Sequence, residues 1–216
     1  MPVLVGAFKE RPQGMSWADD GFIYIGRAEK GIWKIAEAGG SPEQVLAMKP
    51  GEHAHGPELL PGGDWILFSL SRGVRAWSDG SIVAHSLATD ERRVLVARGR
   101  EARYTASGHL TYVQGDSLFA APFDVNRVEV TGGAVAMVDA VQTSTADETG
   151  AACYDVSRNG VLTFAPPAGF GTRDLALTWI DGSGNEEPLP LTQRRHSRFQ
   201  LSPDDRFIAT VTAASA

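Results

Sequence analysis

A short polar turn that ends on Gly or Asp recurs along this chain and constrains its fold more than any other feature. The turn residues are Gly21, Gly63, Gly108, Gly160 and Asp205. The spacings between them are 42, 45, 52 and 45 residues. This period matches a repeated unit of four short strands. The chain is therefore predicted to fold from successive small sheets.

The residues around each turn repeat as well. Two residues after the turn residue stands a large apolar side chain: Ile23, Trp65, Leu110, Leu162 and Phe207. Four residues before it stand Trp17, Leu59, Tyr104, Val156 and Leu201. Five residues before it the side chain is polar: Ser16, Glu58, Arg103, Asp155 and Gln200. Alternation on both sides of a turn is typical of a β-hairpin with one buried face.

A second, looser hairpin lies between successive turns, for example in GIWKIAEAGGSPEQVL and IVAHSLATDERRVLV. Two hairpins in series make one four-stranded antiparallel sheet, and helical periodicity is almost absent. The predicted fold class is therefore all-β, a β-propeller of four-stranded antiparallel blades with about 4.7 blade repeats. The chain length allows a partial ring or a five-bladed one.

Composition excludes several function classes. The 216 residues include 20 basic and 26 acidic ones, for a net charge of −6, so a nucleic-acid partner is not expected. The single cysteine, Cys153, leaves no internal disulfide and no cysteine-based zinc site. The first 14 residues lack the pattern of a signal peptide, and no run of 18 apolar residues occurs, so direct membrane insertion is not expected either.

Several segments together resemble a known family. SWADDGFIYIG, PELLPGGDWILFS, LFAAPFDVNRVEVTG, YDVSRNGVLTFAP, LTWIDGSGNEEPLPL and FQLSPDDRFIATV are similar to successive blades of the TolB-like, PD40-type β-propeller. Their order is similar to the propeller that follows the catalytic domain in bacterial eukaryotic-like serine/threonine kinases. The resemblance covers the chain from about Val3 to Val211. It implies a six-bladed or similar propeller, often extracytoplasmic, that senses or binds a partner.

The chain departs from that family pattern in three respects. It has no kinase motifs, no membrane helix and too few repeats for six blades, so kinase activity is not carried over. We expect a single propeller over residues 1–216, with blades starting near residues 15, 57, 102, 154 and 199. Residues 1–8 are a candidate closing strand for a five-bladed ring. The alternative is an open arc, which would form a homodimer or aggregate through its exposed edges.

The polar position of the repeat is the predicted binding site. If the first strand of each blade lines an axial channel, its side chains ring one funnel. The candidate ligand-binding residues are His55, Glu58, Arg103, Tyr104, Asp155 and Arg198. The alternative is that they form hydrogen bonds between blades. Trp77, in a loop with two arginines, is the candidate exposed contact residue.

Metal and catalytic sites are less favoured. Glu52, His53, His55 and Glu58 form the densest set of potential metal ligands, but contacts to the backbone explain these histidines better. The paired acidic residues fit solvated turns better than calcium loops. There is no GxSxG motif of a hydrolase. We therefore predict no catalytic residues, no bound metal and no cofactor.

These observations favour a non-catalytic binding or sensor module whose ligand is a protein, a peptide or a small molecule. The competing hypothesis is a propeller hydrolase or lactonase with a metal in the axial channel. A third hypothesis is a gene fragment without independent activity. The compartment in which the protein works does not follow from this sequence.

Overall fold

The computed structural model describes most of the chain. The described residues are 4–8, 11–73, 77–144, 149–156 and 161–165, followed by 178–180, 186–188, 196–203 and 206–212. Within them every regular element is a β-strand. The same residues contain no helix that could cross a membrane. The chain divides into two units, Met1–Ala168 and Gly169–Ala216.

Three antiparallel sheets in chain order make up most of the first unit. The first contains β1 (Met15–Trp17), β2 (Phe22–Gly26), β3 (Ile32–Ala36) and β4 (Glu43–Leu46). The second contains β5 (His53–Leu59), β6 (Trp65–Ser71), β7 (Ser81–Ser86) and β8 (Arg92–Val96). In both sheets the strands pair in sequence order, as two hairpins in series should.

The third sheet varies this plan at its outer edge. It contains β9 (Arg100–Thr105), β10 (His109–Gln114) and β11 (Ser117–Asp124), again in sequence order. Two short strands, β12 (Glu129–Val130) and β13 (Val135–Val138), both pair with β11. The fourth strand of this sheet is thus divided into two pieces that lie against successive parts of β11.

The remaining strands form two-stranded hairpins. In the first unit β14 (Tyr154–Val156) pairs with β15 (Leu162–Phe164). In the second unit β16 (Thr178–Ile180) pairs with β17 (Glu186–Pro188), and β18 (His196–Leu201) pairs with β19 (Ile208–Thr212). Residues 4–8 form no strand, and residues 1–3 lie outside the described part. The closing strand and the single ring over residues 1–216 therefore stay predictions.

Three apolar cores lie between consecutive sheets, and strand alternation explains why. Along β6, Ile66 and Phe68 face the first sheet while Leu67 faces the third. Leu110 on β10 is fully buried in the core between the second and third sheets. A further core joins the third sheet to β14. Both faces of the second sheet are buried, which is the packing expected of stacked blades.

The first strands of consecutive sheets carry an irregularity at the same place. On β5, pairing with β6 passes from His55–Ser69 to Glu58–Leu67, so β5 has one extra residue there. On β9, pairing with β10 passes from Arg100–Val113 to Arg103–Thr111, again with one extra residue. Both irregularities are β-bulges, which bend a strand and redirect its side chains.

Candidate functional site

Side chains from three first strands converge on one buried arginine. Arg103 on β9 donates from Nη2 to Glu101 Oε1 at 2.6 Å and from Nη1 to the Ala102 carbonyl at 2.9 Å. Its Nε lies 3.8 Å from Asp155 Oδ1 on β14. We call the group formed by His55, Glu58, Glu101, Arg103, Tyr154 and Asp155 the first-strand cluster. Only 9% of Arg103 is exposed, so the guanidinium is held by protein groups.

Glu101 is the most connected member of the first-strand cluster. Its Oε2 lies 3.2 Å from His55 Nδ1 on β5. Its backbone N–H donates to Ser69 Oγ on β6 at 2.8 Å, and its carbonyl accepts from the Tyr154 hydroxyl on β14. Glu101 is 3% exposed. One residue therefore ties together strands of the second sheet, the third sheet and the following hairpin.

The backbone of Glu101 is also strained. Its φ is +50°, in the left-handed region that disfavours residues with a Cβ. At the corresponding bulge of β5 the residue is Gly56, with φ +58°. A Cβ on Gly56 would lie 3.1 Å from Glu101 Oε1, so the two bulges are in close contact. A buried residue keeps a strained backbone only where its surroundings hold it in place. The packing around Glu101 therefore fixes its conformation.

Glu58 joins the second sheet to the third through the backbone. The Tyr104 N–H donates to both carboxylate oxygens of Glu58, at 3.2 and 3.3 Å. Burial raises the pKa of Glu58 to about 7, and Arg103 and the Tyr104 N–H only partly oppose it. The Tyr104 ring instead packs edge-on against Phe123, with 6.1 Å between ring centroids. Tyr104 thus contributes its backbone to the cluster and its ring to the core.

Arg103 and Tyr154 are held firmly in their ordinary protonation states. Burial alone would lower the pKa of Arg103, but the charges of Glu101, Glu58 and Asp155 raise it above its usual value. Burial raises the pKa of Tyr154 as well. Asp155 forms the accessible edge of the cluster, which we call its rim. Its side chain is 23% exposed, whereas the side chain of His55 is fully buried.

The potential metal ligands of the segment GEHAHGPE bind different partners. Glu52 accepts from Arg92 Nη1 at 2.7 Å, and His53 Nδ1 lies 3.7 Å from Glu29 Oε2. His55 faces Glu101 and Glu58 faces the Tyr104 N–H. Among the residues that the structure describes, no three His, Cys, Asp or Glu side chains are grouped to hold a metal.

Two structures that match this chain contain bacterial propeller-type proteins. Regucalcin from Agrobacterium tumefaciens, described as a calcium-binding protein, is 16% identical with a TM-score of 0.56, over 93% of this chain and 67% of that one. TolB from Acinetobacter baumannii is 17% identical with a TM-score of 0.55, over 97% and 56% of the two chains. A chain of the mitotic checkpoint complex is 10% identical with a TM-score of 0.58, over 93% and 83%.

The fold is a β-propeller. The first two described sheets are four-stranded antiparallel blades as the repeat predicts, and the third follows the same plan with a divided outer strand, so the fold class is confirmed. The chain spans 56% of the length of TolB and 67% of that of regucalcin. Searches by sequence add no relative, since no family model and no curated protein matches. At these identities the likeness establishes the fold of the propeller and not its ligand.

The propeller brings together four of the predicted site residues, namely His55, Glu58, Arg103 and Asp155. Arg198 lies on β18 of the second unit, and its side chain is outside the described residues. The prediction that Trp77 is an exposed contact residue is wrong, because only 3% of Trp77 is exposed. Its ring meets His55 edge-on, with 5.5 Å between ring centroids. Trp77 therefore covers the buried side of the cluster.

Sequence reasoning missed Glu101 and Tyr154. A signal for Glu101 exists in the repeat: Gly14, Gly56 and Glu101 each stand seven residues before a turn residue, and all three have positive φ. The repeated property there is the backbone conformation. Tyr154 stands one residue before the polar position that identified Asp155. The β-bulge on β9 changes the direction of the groups next to it, so simple alternation does not predict the contact between Tyr154 and Glu101.

Proposed function

We propose that this propeller is a non-catalytic binding module whose ligand contacts the rim of the first-strand cluster. The observation that carries the proposal is the pairing inside the cluster. Arg103 and Glu101 are engaged with each other and with neighbouring strands, while the Asp155 carboxylate stays partly accessible. The interior of the cluster thus acts as a support, and its rim offers hydrogen-bond acceptors.

The chemistry of the rim favours a ligand that donates hydrogen bonds. The partly accessible carboxylate of Asp155 lies at the rim, and the carboxylates of Glu58 and Glu101 inside the cluster add negative charge around Arg103. A peptide with exposed N–H groups or a basic side chain suits such a rim better than an anion does. One of the similar propellers belongs to the mitotic checkpoint complex, a protein assembly, which supports a protein or peptide ligand.

A peptide library tests this proposal. Peptides are selected from a random phage-displayed library on the wild-type protein, and their affinities are then measured for two variants. Asp155→Asn should weaken the selected peptides about tenfold, the size expected when one charge-assisted hydrogen bond is lost. Asp116→Asn is the matched control, because the Asp116 side chain is 70% exposed and lies in the turn between β10 and β11. Equal affinity for all three proteins would contradict the proposed site.

We also propose that the chain is related to the kinase-linked propellers whose blade order it resembles. The order of the blade segments supports a propeller of the type that follows bacterial receptor-type serine/threonine kinases, which would place it outside the cytoplasm as a sensor. The genomic sequence on either side of this reading frame tests that assignment. Kinase motifs and a membrane helix encoded upstream would support it, and an unrelated neighbouring gene would contradict it.

A metal-dependent hydrolase or lactonase is the second candidate. One observation favours it: regucalcin is described as a calcium-binding protein. Such an enzyme would hold a divalent ion tightly. Metal analysis of the purified protein separates the two candidates. About one equivalent of a divalent ion per chain would favour the enzyme, and far less than one equivalent would favour the binding module.

A further inference from the structure

Glu58 occupies the junction between the first strands of the second and third sheets. Its carboxylate is the acceptor for the Tyr104 N–H, so a bond between sheets depends on one ionisable side chain. In the described part of the chain, β5 and β9 belong to different sheets and do not pair through their backbones. Side-chain bridges such as this one therefore supplement the apolar contacts that hold the two strands together.

The charges that face Glu58 do not balance. Among the described residues, Arg103 on β9 is the one cation that acts on Glu58, while Glu101 on β9 and Asp155 on β14 are both acidic. Tyr154 on β14 also lies close enough to interact and stays neutral because burial raises its pKa. When Glu58 is ionised, three carboxylates share one guanidinium. When Glu58 is protonated, two carboxylates share it.

We propose that the Glu58–Tyr104 junction is a proton-binding site that makes the packing of the second sheet against the third depend on pH near neutrality. Burial favours the protonated form of Glu58, and the neighbouring carboxylates of Asp155 and Glu101 act in the same direction, whereas Arg103 and the Tyr104 N–H favour the carboxylate and only partly oppose them. Ionisation leaves a buried charge that these two contacts do not fully compensate, and this cost weakens the packing of the two sheets. This inference concerns proton binding alone and does not depend on which ligand the propeller binds.

The direction of the pH effect follows from the protonation states. The pKa of Glu58 is raised from its ordinary 4.5 to about 7, because burial disfavours the carboxylate. Between these two values the folded protein binds more protons than the unfolded chain, so stability falls as pH rises. The contribution is fully present below about pH 4.5 and is lost as pH rises through 7.

Nuclear magnetic resonance tests the junction directly. The amide signal of Tyr104 is followed from pH 5 to pH 8.5 in the wild-type protein and in Glu58→Gln. We expect the wild-type signal to titrate with a midpoint near pH 7 and the signal of the variant to stay constant. Asp155→Asn should move the midpoint to lower pH, because one neighbouring negative charge is lost. A flat wild-type curve, or the same titration in Glu58→Gln, would overturn the proposal.

Equilibrium unfolding in urea measures the effect on stability. Between pH 5 and pH 8 the folded-to-unfolded ratio of the wild-type protein should fall about tenfold to a hundredfold more than that of Glu58→Gln. Glu43→Gln is the matched control, since Glu43 is an exposed residue at the outer edge of the first sheet. It should keep the wild-type pH dependence. The same pH dependence in Glu58→Gln as in the wild type would contradict the proposal.

Discussion

At the scale of single residues, Glu101 shows how one side chain can fix several strands at the cost of local strain. Its carboxylate contacts Arg103 and His55, and its backbone bonds Ser69 and Tyr154. A residue with a Cβ at positive φ loses about 1 kcal/mol relative to glycine. The contacts of Glu101 must outweigh that loss.

Two substitutions separate the strain of Glu101 from its contacts. Glu101→Ala should reduce the free energy of unfolding by about 3 kcal/mol, since Arg103 loses its shortest ion pair while staying buried. Glu101→Gly loses the same contacts but relieves the backbone, so it should be about 1 kcal/mol less destabilising than Glu101→Ala. Urea unfolding at pH 7 measures both. Equal losses in the two variants would show that the positive φ carries no strain.

The sequence predicted the members of this cluster unevenly, and the reason is physical. His55, Glu58, Arg103 and Asp155 are found because polar side chains in a repeated strand position stand out against apolar neighbours. Glu101 escapes because the property that it shares with Gly14 and Gly56 is a backbone angle. The burial of Trp77 depends on a contact with His55, which is distant in sequence.

At the scale of elements, the first strands approach each other more closely than strands with ordinary side chains could. Gly14 precedes β1 directly, with φ +80°, and a Cβ there would lie 2.5 Å from the Cα of Gly56 on β5. A backbone atom cannot move aside as a side chain can. The first and second sheets thus depend on glycine at this point of contact.

An alanine at this contact should separate the two sheets. Gly14→Ala should be about 2 kcal/mol more destabilising than Gly51→Ala, because overpacking adds to the backbone strain. Gly51 is the matched control, with φ +81° and no heavy atom within 4 Å of its added Cβ. Thermal or urea unfolding gives the comparison. Similar losses for both variants would mean that the first strands can move apart freely.

The hairpins show where the repeat predicts register and where it does not. In three of them the predicted apolar positions pair directly: Trp17 with Ile23, Tyr104 with Leu110, and Val156 with Leu162. In the second sheet Leu59 pairs with Ile66 and not with Trp65. The turn there has one residue more, and a shift of one residue exchanges the two faces of a strand. Ile66 is accordingly the buried residue.

At the scale of the whole molecule, the second sheet links two apolar cores. Phe68 belongs to the core shared with the first sheet, and Leu110 belongs to the core between the second and third sheets. In a repeat protein each unit is stabilised by its neighbours. The three sheets should therefore unfold together, because loss of the second sheet exposes both cores.

Core truncations measure this cooperativity. Phe68→Ala and Leu110→Ala should each lower the free energy of unfolding by about 3 to 4 kcal/mol, because both side chains are fully buried. Tryptophan fluorescence and far-ultraviolet circular dichroism should report the same urea midpoint in each variant. Two separate transitions in either variant would show that the sheets unfold independently.

The divided outer strand of the third sheet has a practical consequence for engineering. Residues 131–134 connect β12 to β13; all four are exposed, and a Cβ on Gly133 would meet nothing within 4 Å. The Thr131 N–H still donates to the Pro122 carbonyl on β11 at 2.9 Å, but Gly133 belongs to neither β12 nor β13, so residues added at Gly133 would lie outside the strand pairing of the sheet. An epitope tag or a fluorescent reporter inserted at Gly133 should leave the blade intact. It would lie at the outer edge of the third sheet, on the side opposite β9.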